Sequence, residues 1–295
     1  MKTHIPVLLE EVRQVLLESI NKDALVVDAT LGRGGHFLDL SLHFNNLIGL
    51  DADSDSINYV SGLLLQQGFV ENSGIYIKGL KKIKLVNENF INLKSILSSQ
   101  KASAILFDLG ISMFHYKESK RGFSFLNVDE VLDMRIDTKN NSVRACDLLN
   151  FVSEKDLTTL FRSLGEEFKA KSYANLVVHY RSKKKILTVG DLLSALRIDQ
   201  TRKYKIHPAT KVFMALRIAV NSENTNLKTI LEQYLFDLKN GLVFLIITFH
   251  SLEEKTVERF CRDNNLKFSK INPSNEEIIK NKSSRSSKLF VIKNV

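Results

Sequence analysis

"DATLGRGGH", Asp28 to His36, follows the aliphatic run "ALVV" at 24–27. A short apolar run that ends on a carboxylate and opens into glycines reads as a buried strand followed by a tight turn. At the carboxyl end of a strand, such a bare turn lets a nucleotide-like ligand approach the backbone closely. The turn lacks the Gly-Lys-Ser/Thr ending of a phosphate-gripping loop. Gly32, Gly34 and Gly35 spell G-x-G-G, not the G-x-G-x-x-G of a dinucleotide site.

Three further runs repeat the pattern: "LIGLD" ends at Asp51, "KIKLVNENF" at Phe90 and "ASAILFD" at Asp108. Helix-length segments separate them, so the expectation is a parallel sheet covered by helices. "GLVFLIITF" (241–249) reads as a late buried strand, and the C-terminal stretches "NLKFSKI" and "SSKLFVI" as a terminal strand pair. "GIYIKGLKKI" (74–83) reads as a loop elaboration ahead of the third run. Between 112 and 206 helical patterns and basic turns dominate. The chain therefore reads as a core in two parts, 1–111 and 207–295, around a helical insert at 112–206.

The strand ends make one constellation. An acidic side chain after the second strand, Asp51, can accept both hydroxyls of a ribose. Phe90 can stack on an adenine or close the core. Asp108 stands at the floor of the same crevice, and Asp53 reads as a helix cap. An adenosine-containing ligand follows, either NAD or S-adenosylmethionine. NAD needs a pyrophosphate grip that is absent, and a terminal strand pair suits the seven-stranded methyltransferase sheet. The fold class expected is thus α/β, a Rossmann-like class I methyltransferase core with an inserted helical domain. An NAD-dependent oxidoreductase and a non-catalytic ribosome-associated RNA-binding protein are the competing readings.

Composition bounds the partners. The 295 residues carry 42 basic and 33 acidic side chains, a formal charge of +9 that favours a polyanion such as nucleic acid. The two cysteines, Cys146 and Cys261, are too far apart in sequence for a metal motif or a disulfide framework. That usage fits a reducing cytoplasm, and the seven histidines show no metal-ligand spacing. The first 20 residues lack the pattern of a signal peptide. The longest apolar run, Leu242 to Phe249, is far short of the roughly 20 residues that span a bilayer.

"HIPVLLEEV", "DATLGRGGH", "FDLGIS", "RGFSF", "LDMRID", "HPATKVFMALRIAVN" and "FHSLEEKTVERF" occur in that order. Together they resemble the ribosomal RNA small subunit methyltransferase H family, from His4 to the "SRSSKLFVI" near the end. The resemblance implies S-adenosylmethionine-dependent N4-methylation of a cytidine in the decoding region of 16S ribosomal RNA. It implies cofactor contacts at Gly34, Gly35, His36, Asp51, Phe90 and Asp108. His115 stands where the family has a cofactor-contacting glutamine, and can exchange one hydrogen bond there.

The chemistry adds its own demands. The lone pair of a cytosine amine is delocalised into the ring, so the enzyme must accept hydrogen bonds from the amine and align it. Asp108, or the carbonyls of Leu109 and Gly110, are the candidates, with Asp108 the catalytic residue expected. "DLGI" lacks the prolines and aromatic that many amine methyltransferases carry there, which leaves Phe123 and Phe125 as candidate stacking platforms. Arg121, Lys183, Lys184, Lys185, Arg202, Lys203 and Lys205 are candidates for RNA phosphates. His250, Ser251 and Glu253 read either as substrate-lining residues or as a cap, with Ser251 capping and Glu254 its partner. Asp133 and Arg135 read as a structural ion pair.

Overall fold

The computed structural model describes residues 6–199, 201–202 and 204–293. His4 and Lys203 lie outside the described residues. The chain forms two compact units, one running up to Gly110 and resuming at Asn224, the other Ile111–Glu223.

The first unit holds nine strands: β1 (Leu25–Asp28), β2 (Asn46–Asp51), β3 (Val70–Asn72), β4 (Ile75–Lys78), β5 (Lys81–Asn87), β6 (Ala104–Asp108), β7 (Val243–Thr248), β8 (Phe268–Ile271) and β9 (Lys288–Ile292). Their order is β3-β4-β5-β2-β1-β6-β7-β9-β8. β5, β2, β1, β6 and β7 run parallel. β9 inserts antiparallel between β7 and β8. The seven strands from β5 to β8 thus give the expected methyltransferase pattern, with β9 alone reversed among them.

The sheet is nevertheless larger than seven strands. β3 and β4 form an antiparallel hairpin that extends it beyond β5. "GIYIKGLKKI" is therefore not a loop but β4, a turn and the start of β5. β3 is exposed throughout and β4 buries only Tyr76. The hairpin pairs the backbone of β5 while burying little apolar surface.

Adjacent strand residues face opposite layers, as the period of two requires. Val26, Leu106, Leu245 and Ile247 join one core, with Leu16, Phe37 and Leu64 from the helices Leu9–Ser19, Gly35–His43 and Ser54–Gln66. Val27, Ile105, Phe107 and Phe244 join the other, with Ile230 and Val257 from the helices Glu223–Gln233 and Ser251–Asp263. Such doubly covered strands read as continuous apolar runs.

The second unit is helical, with Ala145–Phe151, Glu154–Ser163, Ala170–Arg181, Val189–Ala195 and Thr210–Val220 around one core. Its end falls later than the expected 206. The helix Thr210–Val220, expected in the sheet unit, buries Val212, Phe213, Ala215 and Leu216 in this helical core. The glycine of "RGFSF" has a clear cause. Gly122 has φ +71°, and a Cβ there would lie 2.5 Å from the carbonyl oxygen of Val131. Among the described residues no helix is long and apolar enough to cross a membrane.

Candidate active site

The carboxyl ends of β5, β2, β1 and β6 lie side by side. On β2, Asp51 is half-buried and organises its surroundings. Its Oδ2 accepts from the Gly32 amide at 2.7 Å, and its Oδ1 from the Asp53 amide at 2.8 Å. Asp53 caps the helix Ser54–Gln66, as expected, accepting from the Asp55 amide at 3.1 Å.

β5 stops at Asn87, short of the expected Phe90. Asn87 donates to the carbonyls of Asp51 and Ala52, and Asn89 caps a short 3-10 turn, Phe90–Asn92. Phe90 packs edge-on against Phe107, with centroids 5.5 Å apart, and stays half-buried.

The glycine turn is fitted to the protein itself. Gly34 lies in the left-handed region at φ +76° and caps the helix Gly35–His43. A Cβ on Gly35 would come 2.4 Å from Pro6 Cγ, and one on Gly34 2.9 Å from Val60 Cγ2. The Arg33 guanidinium lies over the Tyr59 ring at 4.4 Å.

His36 links the loop to β6. Its Nε2 donates to the Val7 carbonyl at 2.9 Å, so in the neutral ring Nδ1 carries no proton. That Nδ1 lies 3.5 Å from Asp108 Oδ2. Burial lowers the His36 pKa, and attraction to Asp28 works against this. Asp28 is itself buried, which pushes its carboxyl up to about 7. Thr30 completes the frame: its amide donates to Asp28 Oδ1, and its hydroxyl accepts from the Asp108 amide at 2.6 Å.

Asp108 is the least satisfied of these groups. Its Oδ1 is enclosed with no hydrogen-bond partner among the described residues. Enclosure first, and then repulsion from Glu253, push its carboxyl up to about 7. The side chain keeps 30% of its surface open, so solvent damps the rise. A carboxyl poised near neutrality at a strand end can take a proton at working pH.

Glu253 is held by a capping box, shifted by one residue from the expectation. His250, not Ser251, is the N-cap of the helix Ser251–Asp263, and Glu253, not Glu254, is its partner. The backbone of His250 is extended, and its imidazole accepts as a hydroxyl would. Glu253 Oε2 accepts from the amides of Phe249 and His250.

The remaining residues lie in the second unit. His115 is buried, with Nδ1 3.0 Å from Ser112 Oγ and its ring edge-on to Phe123. Phe123 belongs to the helical core, so it is no open platform. Phe125 stacks on His207 at 4.1 Å, which covers one face. Arg121 donates to the carbonyls of Arg135 and Ile136, bracing a loop. Asp133 and Arg135 form the expected ion pair at 2.7 Å.

Thr30 and the buried state of Asp28 escaped the sequence reading. Thr30 stands inside the quoted turn, two residues from Asp28, a spacing that suits the local hydrogen bond it makes. A doubly wound sheet with such strand ends defines the class: a Rossmann-like, S-adenosylmethionine-dependent methyltransferase. The model of the MraW methylase family matches residues 1–295. Curated relatives carry the name ribosomal RNA small subunit methyltransferase H. The one from Dictyoglomus thermophilum is 41% identical over 98% of this chain and 95% of its own length. The one from Borreliella afzelii is 38% identical over 99% and 98%. Among solved structures, an rRNA methylase from Streptococcus thermophilus aligns over 99% of both chains, at TM-score 0.48 and 11% identity. On its family match and these sequence relatives, the chain belongs to the MraW methylase family.

Proposed function

We propose that this chain N4-methylates a cytidine in the decoding region of 16S ribosomal RNA, with Asp108 as the catalytic residue. Gly34, Gly35, His36, Asp51 and Phe90 are the proposed cofactor contacts on the same unit, His115 is a further proposed contact, and the helical unit is the proposed RNA reader. The observation that carries the catalytic role is the enclosed, unpartnered Oδ1 of Asp108. S-adenosylmethionine fits the residues present: a cationic ligand relieves the mutual repulsion of Asp108 and Glu253, and Asp51 stands at the end of β2, where a carboxylate meets a ribose in nucleotide-binding sheets. When bound, it supplies a methyl group electrophilic enough to need no activation.

The residues handle the amine. Asp108 accepts a hydrogen bond from N4, which draws the nitrogen lone pair out of ring conjugation as the carbon–nitrogen bond forms. The amine then gives up one proton. Asp108 receives it, and His36 Nδ1, 3.5 Å from Oδ2, is placed to share it. Thr30 fixes the backbone at Asp108 by accepting from its amide, and repulsion from Glu253 raises the carboxyl's affinity for a proton. Asp51 anchors the ribose through a loop whose amides it already organises.

Mass mapping of nucleosides in small-subunit RNA, from cells with and without this protein, tests the reading. N4-methylcytidine is expected to vanish from one site in its absence. An unchanged map refutes the substrate.

A further inference from the structure

The second unit carries a cavity of about 240 Å³ that none of the methyl-transfer chemistry uses. It sits where the helix Ala170–Arg181 meets the helix Val189–Ala195. Leu176 and Ala195 give it an apolar floor, and Tyr180 a half-buried aromatic wall. Its rim carries the cations Lys183, Lys184 and Arg197 beside His179.

These cations are not equivalent. Lys184 Nζ donates to Asp191 Oδ1 at 2.7 Å, and Asp191 Oδ2 also accepts from the amides of Leu187 and Thr188. That charge is neutralised and its position fixed. Among the described residues no carboxylate pairs with Lys183 or Arg197. Arg197 also has φ 55°, just past the end of the helix Val189–Ala195. The Ile198 amide reaches back to the Leu193 carbonyl there, which is the closing bond of a helix end that ordinarily takes glycine. Arginine at this position carries backbone strain that glycine would not.

Two unpaired cations over an apolar, aromatic-walled hollow match one ligand chemistry. A phosphodiester meets Arg197 and Lys183, while the attached ribose and base lie against Tyr180, Leu176 and Ala195. The volume is below the roughly 300–1,000 Å³ of a drug-sized pocket, so it takes a single nucleotide unit and not a folded element. We infer that this cavity is an RNA subsite that seats one nucleotide of the substrate other than the methylated one. The inference rests on the reading of the chain as a ribosomal RNA methyltransferase.

The test compares wild-type protein with the double variant Lys183→Gln/Arg197→Gly. Glycine suits the left-handed backbone at 197, so the melting temperature guards against misfolding. The probes are small ribosomal subunits and a short single-stranded cytidine oligoribonucleotide, each in a filter-binding salt series. The variant is expected to bind the subunit about ten-fold more weakly. Its log–log salt slope on the oligonucleotide should be shallower by about 0.7, the value of one phosphate contact on a single strand. S-adenosylmethionine affinity, by calorimetry, should not change, and Arg197→Lys should restore part of the RNA binding. Unchanged affinity and slope in a folded double variant overturn the inference. Displacement of the oligonucleotide by a polyglutamate peptide at lower concentration than by oligocytidylate also overturns it, in favour of an acidic protein partner. If wild-type protein transfers no methyl group to small-subunit RNA but the double variant still loses RNA binding, the activity fails and the subsite stands.

Discussion

Asp51 and Asp108 are the same residue type at equivalent places, the last positions of two parallel strands. Their surroundings differ. Asp51 accepts two backbone amides and organises the turn in front of it. Asp108 is approached through its own amide by Thr30, repelled by Glu253, and left with an oxygen that nothing fills. On the proposed reading, one carboxylate holds and the other reacts. The sheet provides the positions, and the neighbouring loops decide which role each takes.

The largest expected effect breaks this contrast at its reactive end. Asp108→Ala should lower methyl transfer by about two or more orders of magnitude, as when a positioned catalytic group is lost. RNA binding in a filter assay should persist. Full turnover in that variant would remove the amine from this strand end.

Asp51→Ala attacks the holding end. It should weaken S-adenosylmethionine by about 1.5–3 kcal/mol, the range for hydrogen bonds to a charged group. Calorimetry on the folded variant reads this directly, and unchanged affinity would show that Asp51 serves the loop alone.

The two carboxyls should also part in their response to pH. If Asp108 must be ionised to accept the proton, methyl transfer falls as pH drops below about 7. Glu253→Gln keeps the capping box chemistry and removes the repulsion, so the acid limb of the rate profile should move to lower pH. A limb that stays put assigns it to another group. The sign for stability is opposite. Folded Asp108 holds its proton up to about 7, whereas an unperturbed carboxyl near 3.8 has already released it. Between those values the folded state binds more protons, so this group lowers stability as pH rises. Asp108→Asn should therefore flatten the loss of melting temperature between pH 4 and pH 7.

The smallest effect concerns His115. If it contacts the cofactor, His115→Gln should leave S-adenosylmethionine affinity within about two-fold, under half a kcal/mol. A ten-fold loss would mean that its bond to Ser112 and its packing on Phe123 are what the site needs.

Strand ends were legible because strands buried on both faces write themselves as aliphatic runs that stop at a polar residue. β1, β2, β6 and β7 all do so, and the acids at Asp28, Asp51 and Asp108 mark their ends. The hairpin β3–β4 was hidden because it buries so little that no alternation is required of it. Phe90 extended the third run by its apolarity alone, although Asn87 and Asn89 had already ended the strand. The helix Thr210–Val220 shows a third limit: periodicity reveals that a helix has an apolar face, but not which core that face meets. The cap at His250 was displaced by one because imidazole replaced the hydroxyl that the pattern favours. Burial itself is invisible in the sequence, and so the raised carboxyls of Asp28 and Asp108 could only come from the structure.

The position of β9 matters for biosynthesis. It is an interior strand of the sheet, yet Lys288, its first residue, follows the end of β7 at Thr248 by 40 positions. At about 5–20 residues per second, β7 waits some 2–8 s for its partner to be made. During that interval six residues that end wholly buried, Val243–Thr248, present an unpaired edge. A nascent chain stalled or cut within that window would be a template for aggregation, so yield in a translation system should depend on the smooth delivery of its last strand.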